Sequence, residues 1–238
     1  MFERITVEIH DMLCAAVSRI KGDFQRSYSQ FGEDLLLKSF MDKEYGDALY
    51  KGFWVDIGAH DPIRFSNTKI FSDRGWRGIN VDALPYAIDR FKKYRPNDIN
   101  VNVGIGEEHG KLEYYTFNDH AVNTFSKQFA DKIIAEGAFE FLGVHEVSVI
   151  TLKELLDAYL PPAQSIDFFT IDTEGLDLTI LKSNDWTRYR PKYVLIEIHK
   201  EGRNYEIPTC DVTKYINEQG YVFAGQSSAT TLYSRLDK

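Results

Sequence analysis

The sequence has few of the residues that mark secreted, membrane-spanning or disulfide-stabilised proteins. Only two cysteines, Cys14 and Cys210, occur among 238 residues, and they form no metal-binding or redox motif. This scarcity favours a reducing compartment, so we expect a cytoplasmic protein. No apolar run approaches the roughly 18 residues of a membrane span. The N-terminal segment carries acidic residues throughout, unlike a signal peptide.

Positive charge is also scarce, because 28 Lys and Arg residues face 36 Asp and Glu residues, giving a net charge of −8. This excess of acids argues against nucleic acid as the main partner. The length and an apolar content of 43% suit one α/β domain with elaborations. Apolar residues at helical spacing over 2–20 predict a helix within an N-terminal extension, residues 1–27. Packing is the favoured role of this helix, and a lid or a homodimer contact stays open.

The most informative stretch is GFWVDIGAHDP, residues 52–62. Its apolar run predicts a buried parallel strand ending near Asp56, followed by a tight turn at Gly58 and Ala59. Glycine would let the backbone turn sharply and approach a ligand closely. Asp82 ends the next predicted strand, about 20 residues beyond the turn, where a ribose-binding carboxylate is expected. We therefore predict that Asp56, Gly58, Ala59 and Asp82 belong to a nucleoside site.

The same turn argues against the commonest nucleotide ligands. It is neither G-x-G-x-x-G nor a Walker loop, and Asp61 would repel a phosphate there. A nucleoside that has a cationic centre and no phosphate fits better, and S-adenosylmethionine is such a ligand. An NAD-dependent oxidoreductase is disfavoured because it needs the glycine-rich turn. A parallel-sheet protein with acidic strand ends and no ligand is the remaining alternative.

Ionisable residues also lie at the ends of the predicted strands 166–171 and 193–198. In a parallel sheet, Asp172, Glu174, Glu197 and His199 would reach the same edge as the nucleoside site. If the activated methyl group of such a ligand is transferred to an alcohol, the alcohol must lose its proton. Asp172, Glu174 and His199 are the candidate catalytic residues for accepting it. Alternatively, Asp172, Glu197 and His199 would hold magnesium or manganese and lower the pKa of the hydroxyl. Acid clusters are more often hydrogen-bonded networks, so both mechanisms stay open.

Three further segments frame the predicted site. Gln30 and Glu33 are expected on one face of a helix that starts near Ser29, directed toward the ligand. Ser66 is either a helix N-cap or a ligand contact. Residues 118–145 contain a predicted helix over 124–141 and lie between two strands. Because loops on a rigid scaffold commonly carry specificity, we expect this insertion to select the acceptor.

The alternation of strands and helices predicts an open, mostly parallel sheet that ends in an antiparallel hairpin. In this order the chain resembles the FkbM-type S-adenosylmethionine-dependent methyltransferases over residues 28–198. The resemblance is carried by YSQFGEDLLL, GFWVDIGAHDP, FSNT, RGWRGINVDALP, INVNVGIG, NTFS, TLKELL, IDFFTIDTEGLDLTILK and RPKYVLIEI.

That resemblance implies a class I methyltransferase, Rossmann-like domain over 28–238 with a seven-stranded sheet. It also implies methyl transfer to a hydroxyl oxygen, often on a sugar or a polyketide. The FSNT element carries over as cofactor-binding Ser66, Asn67 and Thr68, whereas His60 receives no transferred role. A catalytically silent nucleoside-binding module would not need the acids at 172, 174 and 197 together, so an enzyme is favoured.

Overall fold

The computed structural model describes residues 25–46, 49–198 and 209–236. The predicted helix over 2–20 and the predicted catalytic and metal-binding His199 lie outside these ranges. Within them, no helix has both the length and the apolar character that crossing a membrane requires.

The described chain alternates strands and helices, as expected. The helices are α1 (Glu33–Tyr45), α2 (Lys69–Asp73), α3 (Pro85–Tyr94), α4 (Lys127–Glu136), α5 (Leu152–Tyr159), α6 (Asp177–Lys182) and α7 (Asp211–Glu218), with a 3-10 turn at His120–Val122. The strands are β1 (Phe53–Ile57), β2 (Arg77–Asp82), β3 (Ile99–Asn102), β4 (Gly104–Ile105), β5 (Gly110–Phe117), β6 (Phe141–Ile150), β7 (Phe168–Ile171), β8 (Tyr193–Glu197), β9 (Tyr221–Ser227) and β10 (Thr230–Arg235).

Seven strands form one sheet in the order β3-β2-β1-β7-β8-β10-β9. Strands β3, β2, β1, β7 and β8 are parallel, whereas β10 runs antiparallel to both β8 and β9. Along β1, Val55 and Ile57 pack into one core cluster and Trp54 into another, because successive side chains point to opposite faces. This sheet confirms the predicted fold class, including the C-terminal antiparallel hairpin.

A second sheet of three strands, in the order β4-β6-β5, was not predicted. The segment 99–105, whose apolar residues predict a single strand, is divided between the two sheets at Val103, whose N–H bonds to the carbonyl oxygen of Asp82. The helix predicted over 124–141 is shorter, and β6 begins at Phe141, where that helix was expected to end. Most residues of β6 are exposed or half-buried, so the strand lacks the alternation by which sequence reasoning recognises strands.

Gly58 has a structural role in addition to the one its sequence context predicts. Its φ is +77°, and a Cβ at this position would overlap the carbonyl oxygen of Asp172. The N–H groups of Gly58 and Ala59 both bond to the carbonyl oxygen of Val81 at 3.0 Å. The close approach that needs glycine is therefore an approach of β7 to β1, and it holds the strand ends together beneath the site.

Candidate active site

A cavity of about 430 Å³ opens at the carboxyl edge of the parallel strands. This volume lies within the roughly 300–1,000 Å³ that is usual for small-molecule sites. It brings together most of the predicted site residues. Those that line the cavity are Gln30, Asp56, Gly58, Ala59, Asn67, Asp82, Asp172, Glu174 and Glu197.

Asp82 is held in place by backbone groups on both sides. Its Oδ2 accepts the N–H of His60 at 2.9 Å, and its Oδ1 accepts the N–H of Leu84 at 2.7 Å. Burial raises the pKa of Asp82, and these two backbone donors oppose that rise. Each carboxylate oxygen keeps a second lone pair. The geometry therefore suits a carboxylate that accepts hydrogen bonds from ribose hydroxyls.

Asp56 also lines the cavity, but its carboxylate belongs to a buried network. Asp56 Oδ2 accepts the hydroxyl of Thr68 at 2.9 Å, and Arg95 Nη1 donates to Thr68 Oγ1 at 2.9 Å. Burial raises the pKa of Asp56 to about 6, against the opposing charge of Arg95. This network fixes the start of α2 against β1 behind the wall of the cavity.

The FSNT element divides between cavity and interior. Ser66 and Thr68 are 2% and 0% exposed, and neither lines the cavity. Ser66 is not the N-cap that was predicted, because Thr68 occupies that position, but its Oγ accepts the N–H of Lys69, the first residue of α2, at 3.1 Å. Asn67 does line the cavity and donates to Thr170 Oγ1 at 3.1 Å. Direct cofactor contacts by Ser66 and Thr68 stay predictions, and the geometry supports a structural role for both.

Gln30 and Glu33 do not share a helix face, so that prediction is wrong. Helix α1 begins at Glu33, and the left-handed Gly32, φ +85°, separates it from Gln30. Gln30 lines the cavity. Glu33 is buried, and its carboxylate accepts the N–H of Phe31 at 2.8 Å. The reason is local, because the acids at the start of α1 satisfy backbone amides that have no partner within the helix.

Three carboxylates meet at the ends of β7 and β8. Asp172, Glu174 and Glu197 can each place one oxygen within 4.8 Å of the other two. Asp172 and Glu174 do not meet as alternate side chains of a continuing strand, because β7 ends at Ile171 and Glu174 has a left-handed φ of +52°. The turn through Glu174 and Gly175 carries the second carboxylate back toward the first.

The crowding of these acids raises the pKa of Asp172. Desolvation by surrounding protein atoms and the negative charge of Glu197 raise the pKa of Asp172 well above its ordinary value. A hydrogen bond with Glu197 and the charge of Glu174 act in the same direction. Asp172 keeps solvent-exposed surface, so its desolvation is partial, whereas the repulsion follows directly from the grouping of the three carboxylates.

Several cavity residues received no individual role from sequence reasoning, although Asp119 and Asn123 lie in the predicted specificity insertion, 118–145. Arg64 donates to both carboxylate oxygens of Asp119, at 3.2 and 3.0 Å, and this pair lowers the pKa of Asp119. His60 also lines the cavity, and burial lowers its pKa. Tyr114 and Asn123 enter from β5 and from the turn before α4. The predicted insertion, 118–145, and the NTFS motif at 123–126 were the sequence signals for this wall.

The fold and the site together define a Rossmann-like α/β domain with an acidic cluster beside a cavity at the carboxyl edge of its sheet. The family model of the methyltransferase FkbM domain matches residues 56–223, more than half of the chain. The chain therefore belongs to the FkbM methyltransferase family, as the resemblance implied. Searches of curated proteins and of solved structures gave no match.

Proposed function

We propose that this protein is an S-adenosylmethionine-dependent O-methyltransferase that acts on a hydroxyl of a sugar or a glycan-containing acceptor. The observation that carries the proposal is that one cavity is lined by Asp82 and by the cluster of Asp172, Glu174 and Glu197. A ribose-binding carboxylate and proton-accepting carboxylates are thus available to one pair of bound reactants. The family supplies the reaction class.

The turn after β1 supports a ligand without phosphates. The N–H groups of Gly58 and Ala59 donate to the carbonyl oxygen of Val81. The N–H of His60 donates to the carboxylate of Asp82, and the N–H of Asp61 donates to the carbonyl oxygen of Ala59. The backbone N–H groups of Ile63 and Arg64 donate to the Asp61 carboxylate at 2.8 and 2.9 Å. The backbone amides that would cradle a pyrophosphate are thus engaged within the protein. This arrangement disfavours a dinucleotide and is compatible with S-adenosylmethionine.

When bound, S-adenosylmethionine supplies a methyl group on a sulfonium centre. The protein must orient the acceptor hydroxyl and remove its proton, since an alcohol is a weak nucleophile at neutral pH. With the pKa of Asp172 raised, one carboxyl of the cluster holds a proton while another stays ionised. The ionised carboxylate then accepts the hydroxyl proton. We assign this step to Asp172 in the form of the cluster whose shared proton lies on Glu174 or Glu197, because a raised pKa makes the ionised Asp172 carboxylate a stronger base than an ordinary one.

A divalent cation is the second way to relieve the repulsion among these acids. Magnesium and manganese prefer oxygen ligands, and a bound cation would lower the pKa of the acceptor hydroxyl. Asp172 and Glu197 were predicted as ligands, and the described cluster offers Glu174 where His199 was expected. The shared-proton and metal mechanisms differ in their response to a chelator.

The acceptor side of the cavity combines aromatic and polar side chains. Residues of the predicted specificity insertion, 118–145, contribute Phe125, Phe129 and Phe139 together with Asp119 and His120. Apolar walls with a few polar groups suit a ring that carries hydroxyls. A sugar fits this description. A polyketide hydroxyl is the second candidate, because the aromatic side chains by themselves would suit a more apolar acceptor.

The proposal is tested in two stages. Calorimetry with S-adenosylmethionine and NAD side by side should show binding of the former only. Incubation with methyl-labelled S-adenosylmethionine and a panel of glycans and polyketides should then transfer one labelled methyl group to an acceptor, as detected by mass spectrometry. Failure to bind S-adenosylmethionine would remove the proposal, and transfer to polyketides alone would replace the acceptor.

A further inference from the structure

The turn after β7 holds Glu174 in a conformation that costs free energy. Its left-handed φ of +52° lies in a region that residues other than glycine enter at a cost. Its carboxylate also lies within 4.8 Å of those of Asp172 and Glu197, and like charges at this distance repel each other. A strained residue persists only where the surrounding structure fixes it. Contacts from outside the turn are therefore needed to keep Glu174 in place.

Thr124 supplies such a contact from the insertion, residues 118–145. The residue is 1% exposed, and its hydroxyl donates to the carbonyl oxygen of Glu174 at 2.8 Å. The same hydroxyl oxygen accepts the N–H of Ser126 at 2.8 Å, which orients it. A hydroxyl has one proton to donate, and here that proton goes to the backbone of the turn. The side chain of Thr124 thus joins the insertion to the residue whose backbone is left-handed.

The backbone of Thr124 is fixed independently of this bond. Its carbonyl oxygen accepts the N–H of Tyr115 at 2.8 Å, and its N–H donates to the carbonyl oxygen of Tyr115 at 3.1 Å. Tyr115 of β5 belongs to a buried apolar cluster that includes Ala130 and Ile133 of α4. The bond to Glu174 therefore starts from a packed wall, which does not follow the turn if the turn moves.

We propose that Thr124 is a positioning residue, whose hydroxyl holds Glu174 in the left-handed turn and so keeps its carboxylate in the acidic cluster. The consequence for methyl transfer rests on the proposed function, whereas the placement of the carboxylate does not. The next residue, Phe125, lines the cavity on the proposed acceptor side. The hydroxyl of Thr124 thus keeps the acceptor wall and one carboxylate of the cluster in a fixed relation.

Crystal structures of variants test this placement directly. Thr124→Val has nearly the same shape but no hydroxyl, so the Glu174 carboxylate should move beyond 4.8 Å from the other two acids. Thr124→Ser keeps the hydroxyl and should keep the carboxylate in place. Thr124→Ala also lacks the hydroxyl and adds no atoms, so it replaces Thr124→Val if that variant does not fold.

Thr116→Val is the matched control. Thr116 is also buried, and its hydroxyl donates to a backbone carbonyl oxygen, that of Gly143, at 3.2 Å. Thr116 does not line the cavity, so this variant loses a comparable hydrogen bond without touching the acidic cluster. It should leave both the position of Glu174 and the rate of methyl transfer unchanged.

A double-mutant cycle on methyl transfer tests whether Thr124 acts through Glu174. Thr124→Val should lower kcat about tenfold with an unchanged KM for S-adenosylmethionine, and Thr124→Ser should retain the rate. In a Glu174→Gln background, Thr124→Val should have little further effect, because the carboxylate that it positions is already absent. Equal effects in both backgrounds would show that Thr124 acts on a reactant directly, which would overturn the positioning role.

The structural and kinetic results are read separately. A Thr124→Val structure in which the φ and the carboxylate position of Glu174 are unchanged would overturn the inference, and so would an unchanged kcat of that folded variant. If the unaltered protein transfers no methyl group to any acceptor of the panel, the proposed function fails. The crystal structures then still decide whether Thr124 places Glu174.

Discussion

The carbonyl oxygen of Asp172 occupies the space where a side chain on Gly58 would begin. The N–H of Asp172 in turn bonds to the carbonyl oxygen of Ile57 at 3.1 Å. The first residue of the cofactor turn and the first residue of the acidic cluster are therefore packed against each other. The proposed nucleoside site and the proposed proton-removing cluster thus share one junction between β1 and β7.

This junction predicts that Gly58→Ala is severely destabilising. A left-handed φ costs a non-glycine residue about 1–2 kcal/mol, and the overlap with the Asp172 carbonyl adds to that cost. Urea unfolding should show a loss of at least about 3 kcal/mol, since the β7 end must move. Gly137→Ala is the control, because Gly137 has a similar φ of +66° with no atom within 4 Å of the place where its Cβ would lie. Equal losses in the two variants would mean that the junction tolerates a side chain.

Asp82→Ala should weaken S-adenosylmethionine binding by about 1.5–3 kcal/mol, the range for hydrogen bonds to a charged group. The physical reason is that its two oxygens, already oriented by His60 and Leu84, would no longer accept the ribose hydroxyls. Calorimetry measures the change, and circular dichroism verifies the fold. Asp89→Ala, at an exposed carboxylate of α3, is the control and should bind normally. Normal binding by Asp82→Ala would show that the ribose lies elsewhere.

The sequence was sufficient to predict the main sheet because β1, β7 and β8 are continuous apolar runs between helical segments. It also placed the acids correctly at strand ends, since parallel strands end at one edge. It could not predict that Thr68 and Asp56 engage each other, because an interior hydrogen bond leaves no periodic pattern. It gave 118–145 a role as a whole but could not predict that Asn123 lines the cavity, because this residue lies between the 3-10 turn and α4, where no periodic pattern marks it.

A buried acid outside the proposed catalytic cluster predicts a pH effect on stability. Asp177 Oδ1 accepts the N–H and the hydroxyl of Thr173 at 3.2 and 3.0 Å. Burial raises the pKa of Asp177 from 3.8 to about 6. Between these values the folded state binds more protons than the unfolded state, so this group stabilises less as pH rises from about 4 to about 6.

Asp177→Asn keeps an oxygen acceptor for Thr173 and removes the buried charge. Relative to the unaltered protein, the variant should gain stability as pH rises from 4 to 7, by an amount on the order of 3 kcal/mol for a pKa shift of this size. Urea unfolding of both proteins across this range measures the difference. Asp185→Asn is the comparison, since hydrogen bonding to Thr187 lowers the pKa of that acid and the pH trend should be opposite. A stability difference that does not change with pH would show that Asp177 is not a charge buried at neutral pH.

The decisive residue for the chemistry is Asp172. We expect Asp172→Asn to keep the fold and to bind S-adenosylhomocysteine, because the asparagine is isosteric and the carboxylate of Asp82 is untouched. Methyl transfer to a verified acceptor should fall by at least about a hundredfold, the loss expected for a general base. The Asp157→Asn variant controls for a change of acid elsewhere, since Asp157 binds Arg188 and Tyr189 at the opposite edge of the sheet. Turnover by Asp172→Asn at the unaltered rate would contradict both mechanisms.

A chelator separates these mechanisms. If Asp172, Glu174 and Glu197 hold a cation, EDTA should abolish methyl transfer and magnesium or manganese should restore it. If the cluster instead shares a proton, EDTA should have no effect, and the rate should fall as pH drops and the last ionised carboxylate is protonated. We expect the second result, because the raised pKa of Asp172 lets the cluster relieve its repulsion by keeping a proton. Restoration of activity by either metal ion would establish the cluster as a metal site.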